Sequence, residues 1–515
     1  MRRRWLPSTL RALVMTVPMF LLLARPMVAA AAPATLEGTP VPVKSAVLNF
    51  RDAARAEALR RIQPGFKLPP VRPLLFDEER EQNEMGEEPG ADRFGDVLPE
   101  TKIPARQPMP MVASPSPTQS FIGLDDIAMV DSSFIVIPPD VGGAVGPTRI
   151  LERLNNNLRI LDKATGSTVL TIGNATFWAP VVDGSERGRL TDPRTVYNPY
   201  NNVWIVASQT TTASAGKLLL GVSQTSDPAG SWFLYNFNSA NTVDYPILGF
   251  NKNWISLTIN RYNAAGSAFQ NGLNLVVNYP AARTGSGSGT LFSLGAGSGF
   301  CASPCNTYST TSESLYVVTH LGSAGATYTL DWISGTAAAP VYSVGGVTKV
   351  RTGTAWTQPS GNIQPQSAPN SGASVCSPPC PIETQDAQVR SAPVYRGGLI
   401  YYAQTVGIPA GTLTHTAAQW TIITTSGSPP TGNFADGGRV EDPTATSTNG
   451  GKWYDNVHIA VNANGDFMVG YTQFSSTQHP SAGYSVHLGG DATGTTRDPI
   501  IFHTGEDYYH KTFST

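Results

Sequence analysis

The chain has 515 residues, a net charge of −2 and only 14% charged residues. That balance excludes a basic nucleic-acid footprint and leaves room for one large domain or several ordinary ones. Fifty glycines and 41 prolines make the chain rich in turns, which favours many short strands over long helices.

The first residues, MRRRWLPSTLRALVMTVPMFLLLARPMVAAAAPA, open with three consecutive arginines after Met1, followed by an apolar run over 12–24 and small residues from Ala29. This is the three-part layout of a secretory signal peptide, assigned to residues 1–32. Its apolar run ends at Arg25 and falls short of the roughly 20 residues that cross a bilayer. The mature chain is therefore expected to have no stable membrane span and to be secreted, either extracellular or periplasmic.

Residues 33–120 differ in composition from the remainder of the chain. KSAVLNFRDAARAEALRRI (44–62) has helical spacing and alternating charge, which predicts one helix. The Pro-rich stretches after it, QPGFKLPPVRPLLF and IPARQPMPMVASPSPTQS, read as a linker or a pro-segment, so this region is expected to be non-globular.

From Phe121 onward, runs of five to eight apolar or β-branched residues alternate with Gly, Asn, Asp and Ser turns, an all-β pattern. Five segments share one outline: an aspartate, an apolar strand, a polar turn and a second apolar strand. They begin at Asp140, Asp192, Asp244, Asp386 and Asp455. The long interval after Asp244 has room for a further unit, with TTSESLYVVTHLG (310–322) as its second strand. Six visible repeats of about four strands each predict a β-propeller of six or seven blades over 121–515, because a lone four-stranded sheet cannot bury both faces and a ring of them can.

The turn TSDPAGSW (225–232) resembles the Asp-box of sialidase-like propellers, with Gly230 one position late. Together with PPDVGGAVGP, LDKATGS, DPRTVYNPYNNVW, DYPILGF and VNANGDFMVGY, it makes the chain similar to a family of exported bacterial β-propeller proteins of mostly uncharacterised function. The resemblance implies a propeller fold and no general reaction. Members of that family continue past the HKTFST at which this chain stops, with a stretch that completes the ring.

The repeated aspartates are expected at the start of the innermost strands, near the axis. Three roles fit them. Each can cap a loop by accepting backbone amides. All five, Asp140, Asp192, Asp244, Asp386 and Asp455, can converge as hard oxygen ligands for calcium. Two carboxyls among Asp192, Asp244 and Asp386, about 5 to 9.5 Å apart, can also serve glycoside hydrolysis. Arg194, Arg261 and Arg390 lie near the same strands. They can form salt bridges as readily as they can hold a substrate carboxylate.

Trp453 and Tyr454 in KWYDN, and Tyr508 and Tyr509 in EDYYH, read either as stacking faces for sugar rings or as packing between blades. The four cysteines occur as CASPC (Cys301, Cys305) and CSPPC (Cys376, Cys380), and an even count in an exported chain predicts two disulfides. Local pairing would close two tight loops; cross-pairing would staple them together. No H-E-x-x-H, G-x-S-x-G or P-loop motif is present. The functional expectation is a secreted, non-catalytic scaffold that binds an extracellular polysaccharide or a surface protein, with a carbohydrate-active hydrolase as the alternative.

Overall fold

The computed structural model describes residues 33–66, 112–124, 139–210, 216–239, 241–320, 327–345, 349–350, 355–359, 365–371, 382, 384 and 386–509. The signal-peptide segment, the Pro-rich stretch 67–111, Cys376, Cys380 and the terminal HKTFST lie outside these residues.

Four-stranded antiparallel meanders follow one another along the chain. The 142–173 meander comprises Gly142–Val145, Arg149–Arg153, Asn157–Asp162 and Thr168–Gly173, paired in chain order. The 190–238 meander comprises Leu190–Asn198, Val203–Thr210, Lys217–Ser223 and Ser231–Asn238. The 242–293 meander has Thr242–Phe250, Trp254–Tyr262, Phe269–Asn278 and Gly289–Ser293. Ser303–Pro304, Leu315–His320, Thr327–Thr336 and Ala339–Ser343 make the 303–343 meander, the unit that the repeat spacing had left incomplete. The 394–440 meander has Val394–Arg396, Leu399–Ile408, His415–Thr424 and Phe434–Val440. The 453–503 meander has Trp453–Val461, Phe467–Ser475, Gln478–His487 and Ile500–His503.

Successive meanders pack face to face in a ring of sheets resembling a β-propeller. Hydrogen bonding divides them into five sheets, because Asn306–Thr307 pairs in parallel with Phe250 on one side and with Val394 and Tyr395 on the other. That bridge ties the 242–293 and 394–440 meanders into one ten-stranded sheet.

Stacking explains the sequence pattern. Every residue of Val203–Thr210 is buried, because a neighbouring sheet covers each face. Tryptophans fill the space between sheets: Trp178, Trp204, Trp232, Trp254, Trp356, Trp420 and Trp453 are all fully buried. In the 225–232 turn, Thr225 Oγ1 accepts from the Asp227 amide and Asp227 Oδ1 accepts from the Ala229 amide. Trp232 donates its indole N–H to the Pro228 carbonyl, 2.8 Å away.

The N-terminal region departs from the expected helix-plus-linker. Thr35–Leu36, Gly38–Val41 and Val43–Asn49 are strands, added in turn to the outer edges of the 303–343, 242–293 and 190–238 meanders. The helix, α1, is only Phe50–Arg61, with Asn49 as its N-cap accepting from the Asp52 amide. The expected longer helix over 44–62 loses residues 44–49 because they find an open sheet edge to pair with. Residues 112–124 also belong to the ring. Asp498 donates its amide to the Val112 carbonyl, Val486 donates its amide to Ser114 Oγ, and the Leu124 amide donates to Glu152 Oε2. This segment thus reaches from the 453–503 meander to the 142–173 meander.

Of the two pairings left open, the local Cys301–Cys305 bridge is not formed, and the cross-pairing involves Cys376 and Cys380, which lie outside the described residues. Both residues are buried, but Cys301 packs with Ile247 and Phe300 while Cys305 packs with Tyr316, Val318 and Val389. The strand Ser303–Pro304 between them sends the two side chains into different inter-sheet cores. Among the described residues, no helix is long and apolar enough to cross a membrane.

Candidate functional site

The first strands of the meanders bring their polar residues together around the axis. Asp192, Asp244 and Asp455 are each the third residue of such a strand. Each strand then carries a bulge: its pairing shifts between Thr191 and Arg194, between Asp244 and Ile247, and between Asp455 and His458.

At these bulges one residue takes a left-handed backbone. The left-handed residues are Asp192 (φ 57°), Tyr245 (φ 57°) and Asn456 (φ 51°), and Asp140 (φ 50°) and Cys301 (φ 48°) adopt the same conformation near the starts of their own meanders. The aspartates are therefore not all equivalent. Asp140 and Asp192 occupy the left-handed position itself, whereas Asp244 and Asp455 stand one residue earlier, in the place of Thr191. A shift of one residue in a strand reverses the direction of the side chain, so the two classes do different work.

The acidic side of the cluster is a chain of contacts between repeats. Asn155 Nδ2 donates to Asp140 Oδ2 at 2.9 Å, and Asn155 Oδ1 accepts from the Asp192 amide at 2.8 Å. The carboxyls of Asp140 and Asp192 hydrogen-bond to each other, and burial pushes Asp140 above its ordinary value. Asp192 Oδ2 also accepts from Gln209 Nε2 at 2.6 Å and from the Tyr245 amide at 3.1 Å. Gln209 Nε2 lies 2.6 Å from Asp244 Oδ1 as well. The same scheme recurs with different atoms further on: Asn260 Oδ1 accepts from the Cys301 amide at 2.9 Å.

The basic side is built on Tyr245. Its ring is flanked by two guanidiniums, Arg194 at 4.7 Å and Arg390 at 4.4 Å, and its hydroxyl donates to the Arg390 carbonyl. Burial pushes the Tyr245 phenol up to about 12. Arg390 grips Asp386 with two hydrogen bonds, 3.0 Å from Nε and 2.5 Å from Nη2, and Asp386 outweighs the cost of burial to hold this guanidinium well above its ordinary value. Arg194 donates through Nε to the Pro246 carbonyl and acts electrostatically on both Asp140 and His458. His458 is solvent-accessible, and the surrounding chain, with Arg194, pushes its imidazole below its ordinary value. Arg261 sits on the adjacent strand opposite Val243.

Asp455 is held separately: Thr405 of the preceding meander donates its hydroxyl to Asp455 Oδ1 at 2.8 Å. The five aspartates thus form an acidic triad, an ion pair and a lone hydrogen-bonded carboxylate, not one ligand set. Among the described residues, no group of three or more His, Cys, Asp or Glu side chains is placed to hold a metal ion. Arg194 acts electrostatically on Asp140, and Asp192 already accepts from Gln209 and the Tyr245 amide.

Two of the aromatic candidates are not at a surface. Trp453 is fully buried against Ala445 and Phe474, and Tyr454 packs edge-on to Tyr471 at 5.0 Å between sheets. Both lie at the buried start of the Trp453–Val461 strand, whose later residues Asn456, His458 and Ala460 are exposed. Tyr508 is half-buried and Tyr509 exposed, the latter anchored through its backbone to the Gln366 side chain. Sequence reasoning missed Asn155, Gln209 and Asn260, which sit at the ends of second strands and look like ordinary polar strand ends.

No protein family matches the chain, and no curated protein matches it. Solved structures similar to it include an ACO/RPE65 chimera (9% identity, covering 72% of this chain and 73% of that one, TM-score 0.36). Another is a polysaccharide lyase of a new family, PL25, an ulvan lyase bound to -[GlcA(1-4)Rha3S]- (9% identity, 72% and 83%, TM-score 0.33). A third is a glycosyl hydrolase from Bacteroides ovatus (9% identity, 60% and 86%, TM-score 0.27). At these scores the likeness carries no functional argument, and the class of the fold rests on the chain's own strand pairing.

Proposed function

We propose that the chain is a secreted, non-catalytic propeller scaffold that binds an extracellular polysaccharide or a surface protein through its loops. One observation carries this reading: the axial carboxylates are already engaged by neighbouring groups, within their own repeat or from the next one. Asp192 serves Gln209 and the Tyr245 amide, Asp386 serves Arg390, and Asp455 serves Thr405. Carboxyls engaged in this way pin adjacent sheets in register and leave no separated acid and base facing a substrate. In this reading Tyr508 and Tyr509 are the aromatic faces available to a sugar ring.

The alternative, a carbohydrate-active hydrolase, is favoured by one feature. Asp140 is pushed up by burial beside Asp192, the environment in which a carboxyl becomes a general acid.

The test is to pass the purified chain over a glycan array with and without calcium, scoring products as well as retention. Retention without cleavage supports the scaffold, and its loss on chelation would add a calcium requirement. Cleavage that disappears with Asp192→Asn or Asp244→Asn, in chains that still fold, would make the protein a glycosidase.

A further inference from the structure

Residues 33–49 run along the outer rim against the order of the chain. Thr35 and Leu36 pair with Ser343 and Tyr342; residues 38–41 pair with 292–289; residues 43–49 pair with 237–231. Single residues, Glu37 and Pro42, make the steps between sheets. The pattern suits an added edge. Pro40 is tolerated because this strand is outermost in its sheet, and Val43 and Val47 are exposed. Gly38 is required by space, since a Cβ there would meet Thr290 Cγ2 at 2.4 Å and Phe292 Cε1 at 2.7 Å.

The helix α1 then docks on the next meander. Phe50 is fully buried with Phe177, Trp178 and Trp232 in a core shared by the 142–173 and 190–238 meanders. The Phe50 and Arg51 amides donate to the carbonyls of Gly230 and Ala229, and Arg51 pairs with Asp227 at 2.6 Å, so the 225–232 turn is the seat of the helix start. Phe50, Ala54 and Glu57 form its buried face, and Glu57 Oε2 accepts from the Gly173 amide at 3.0 Å. One short segment therefore touches four consecutive meanders.

We infer that residues 33–61 are a separable clasp: a strand-and-helix peptide held on one continuous acceptor surface, made of three sheet edges and the Phe50 pocket, that keeps the 142–343 arc closed. Backbone pairing supplies length and register, as in strand addition to an open edge, and Phe50 supplies the anchor. The occupant of this surface is the chain's own segment, and its attachment does not depend on the covalent link through 67–111.

To test this, a site for a sequence-specific protease is placed within 67–111 of the full chain, and the folded protein is cut. The clasp fragment is expected to co-elute with the body and to leave it on dilution. Phe50→Ala should speed that release about tenfold, because losing a buried anchor acts mainly on the off-rate. Arg55→Ala, on the exposed face of α1, should leave it unchanged. Once the fragment is gone, amide exchange at Gly289–Ser293 and Ser231–Asn238 should rise. If Phe50→Ala prevents folding, Gly38→Ala tests the same docking from the rim without touching the core. Immediate separation from a body whose melting and exchange are unaltered would overturn the proposal. So would retention indifferent to both substitutions.

Discussion

Asp192 and Asp244 share a single amide: Gln209 Nε2 stands 2.6 Å from Oδ2 of the first and 2.6 Å from Oδ1 of the second. Gln209 belongs to the second strand of the 190–238 meander, Asp192 to the first strand of that meander, and Asp244 to the first strand of the next. The contact is thus a rivet between repeats, made where two carboxylates would otherwise repel. Gln209→Leu keeps the bulk and removes the donor, which should cost about 1–3 kcal/mol because Asp192 Oδ2 and Asp244 Oδ1 lose the amide they share. Gln209→Glu should cost more at pH 7 than at pH 5, since a fourth carboxylate joins the triad. Urea midpoints at both pH values check this; wild-type midpoints for both variants would show that the carboxylates are held by something else.

The outline of this arrangement was legible in the sequence, but its register was not. Aspartate, strand, turn, strand recurs because every meander needs the same buried pair of strands, and that repeat predicted the ring of sheets. The bulge is invisible to periodicity, so Asp140 and Asp192 were aligned with Asp244 and Asp455, one residue out of place in space. The repeat beginning at Cys301 was hidden for a related reason: its first strand is only Ser303–Pro304 long and carries no aspartate. KSAVLN (44–49) reads as the start of a helix because its apolar residues continue the helical spacing of the charged segment after it. Only the open edge at Ser231–Asn238 makes it a strand, and an edge is a tertiary fact. Trp453 and Tyr454 were ambiguous because packing between sheets and stacking on sugars select the same residue types.

Among the described residues, Arg153 has no carboxylate as a hydrogen-bond partner. It is fully buried and donates to the carbonyls of Arg194 and Ala207, to Asn174 Oδ1 and to Ser208 Oγ, and burial lowers its guanidinium to about 9. The planar fork satisfies two backbone carbonyls and two side chains at once, which ammonium geometry cannot match. Arg153→Met should therefore cost about 3 kcal/mol through orphaned carbonyls, with Arg153→Lys intermediate. Thermal melts of the two variants decide the matter; a melt for Arg153→Met equal to wild type would mean that the cation contributes nothing net.

Asp331 gives the ring a measurable pH dependence. Burial raises its carboxyl from 3.8 to about 6, against the lowering effect of hydrogen bonds from the Gly345 amide at 2.7 Å and the Tyr342 hydroxyl at 2.9 Å. Because the folded chain holds this proton more tightly than the unfolded one, the stabilisation is fully present below about pH 4 and is lost as pH rises through about 6. Asp331→Asn can accept from Gly345 and donate to Tyr342, whose hydroxyl reverses. The substitution should flatten the stability curve between pH 4 and 6 and raise stability at pH 7 by about 1–3 kcal/mol. Urea titrations across that range check both; an unchanged slope would assign the dependence to other groups.

Cys305 tests the separation of the two CASPC side chains. It is fully buried among Tyr316, Val318 and Val389, and burial alone pushes its thiol well above the ordinary range. The thiolate is the reactive form, so a group that is both enclosed and held protonated reacts slowly. In the folded chain at pH 8, iodoacetamide should leave Cys305 unmodified, and modification should appear once urea unfolds the chain. Peptide mass mapping reads this directly. A Cys301–Cys305 crosslinked peptide from the native protein would instead require the Ser303–Pro304 strand to rotate one of the two side chains out of its core.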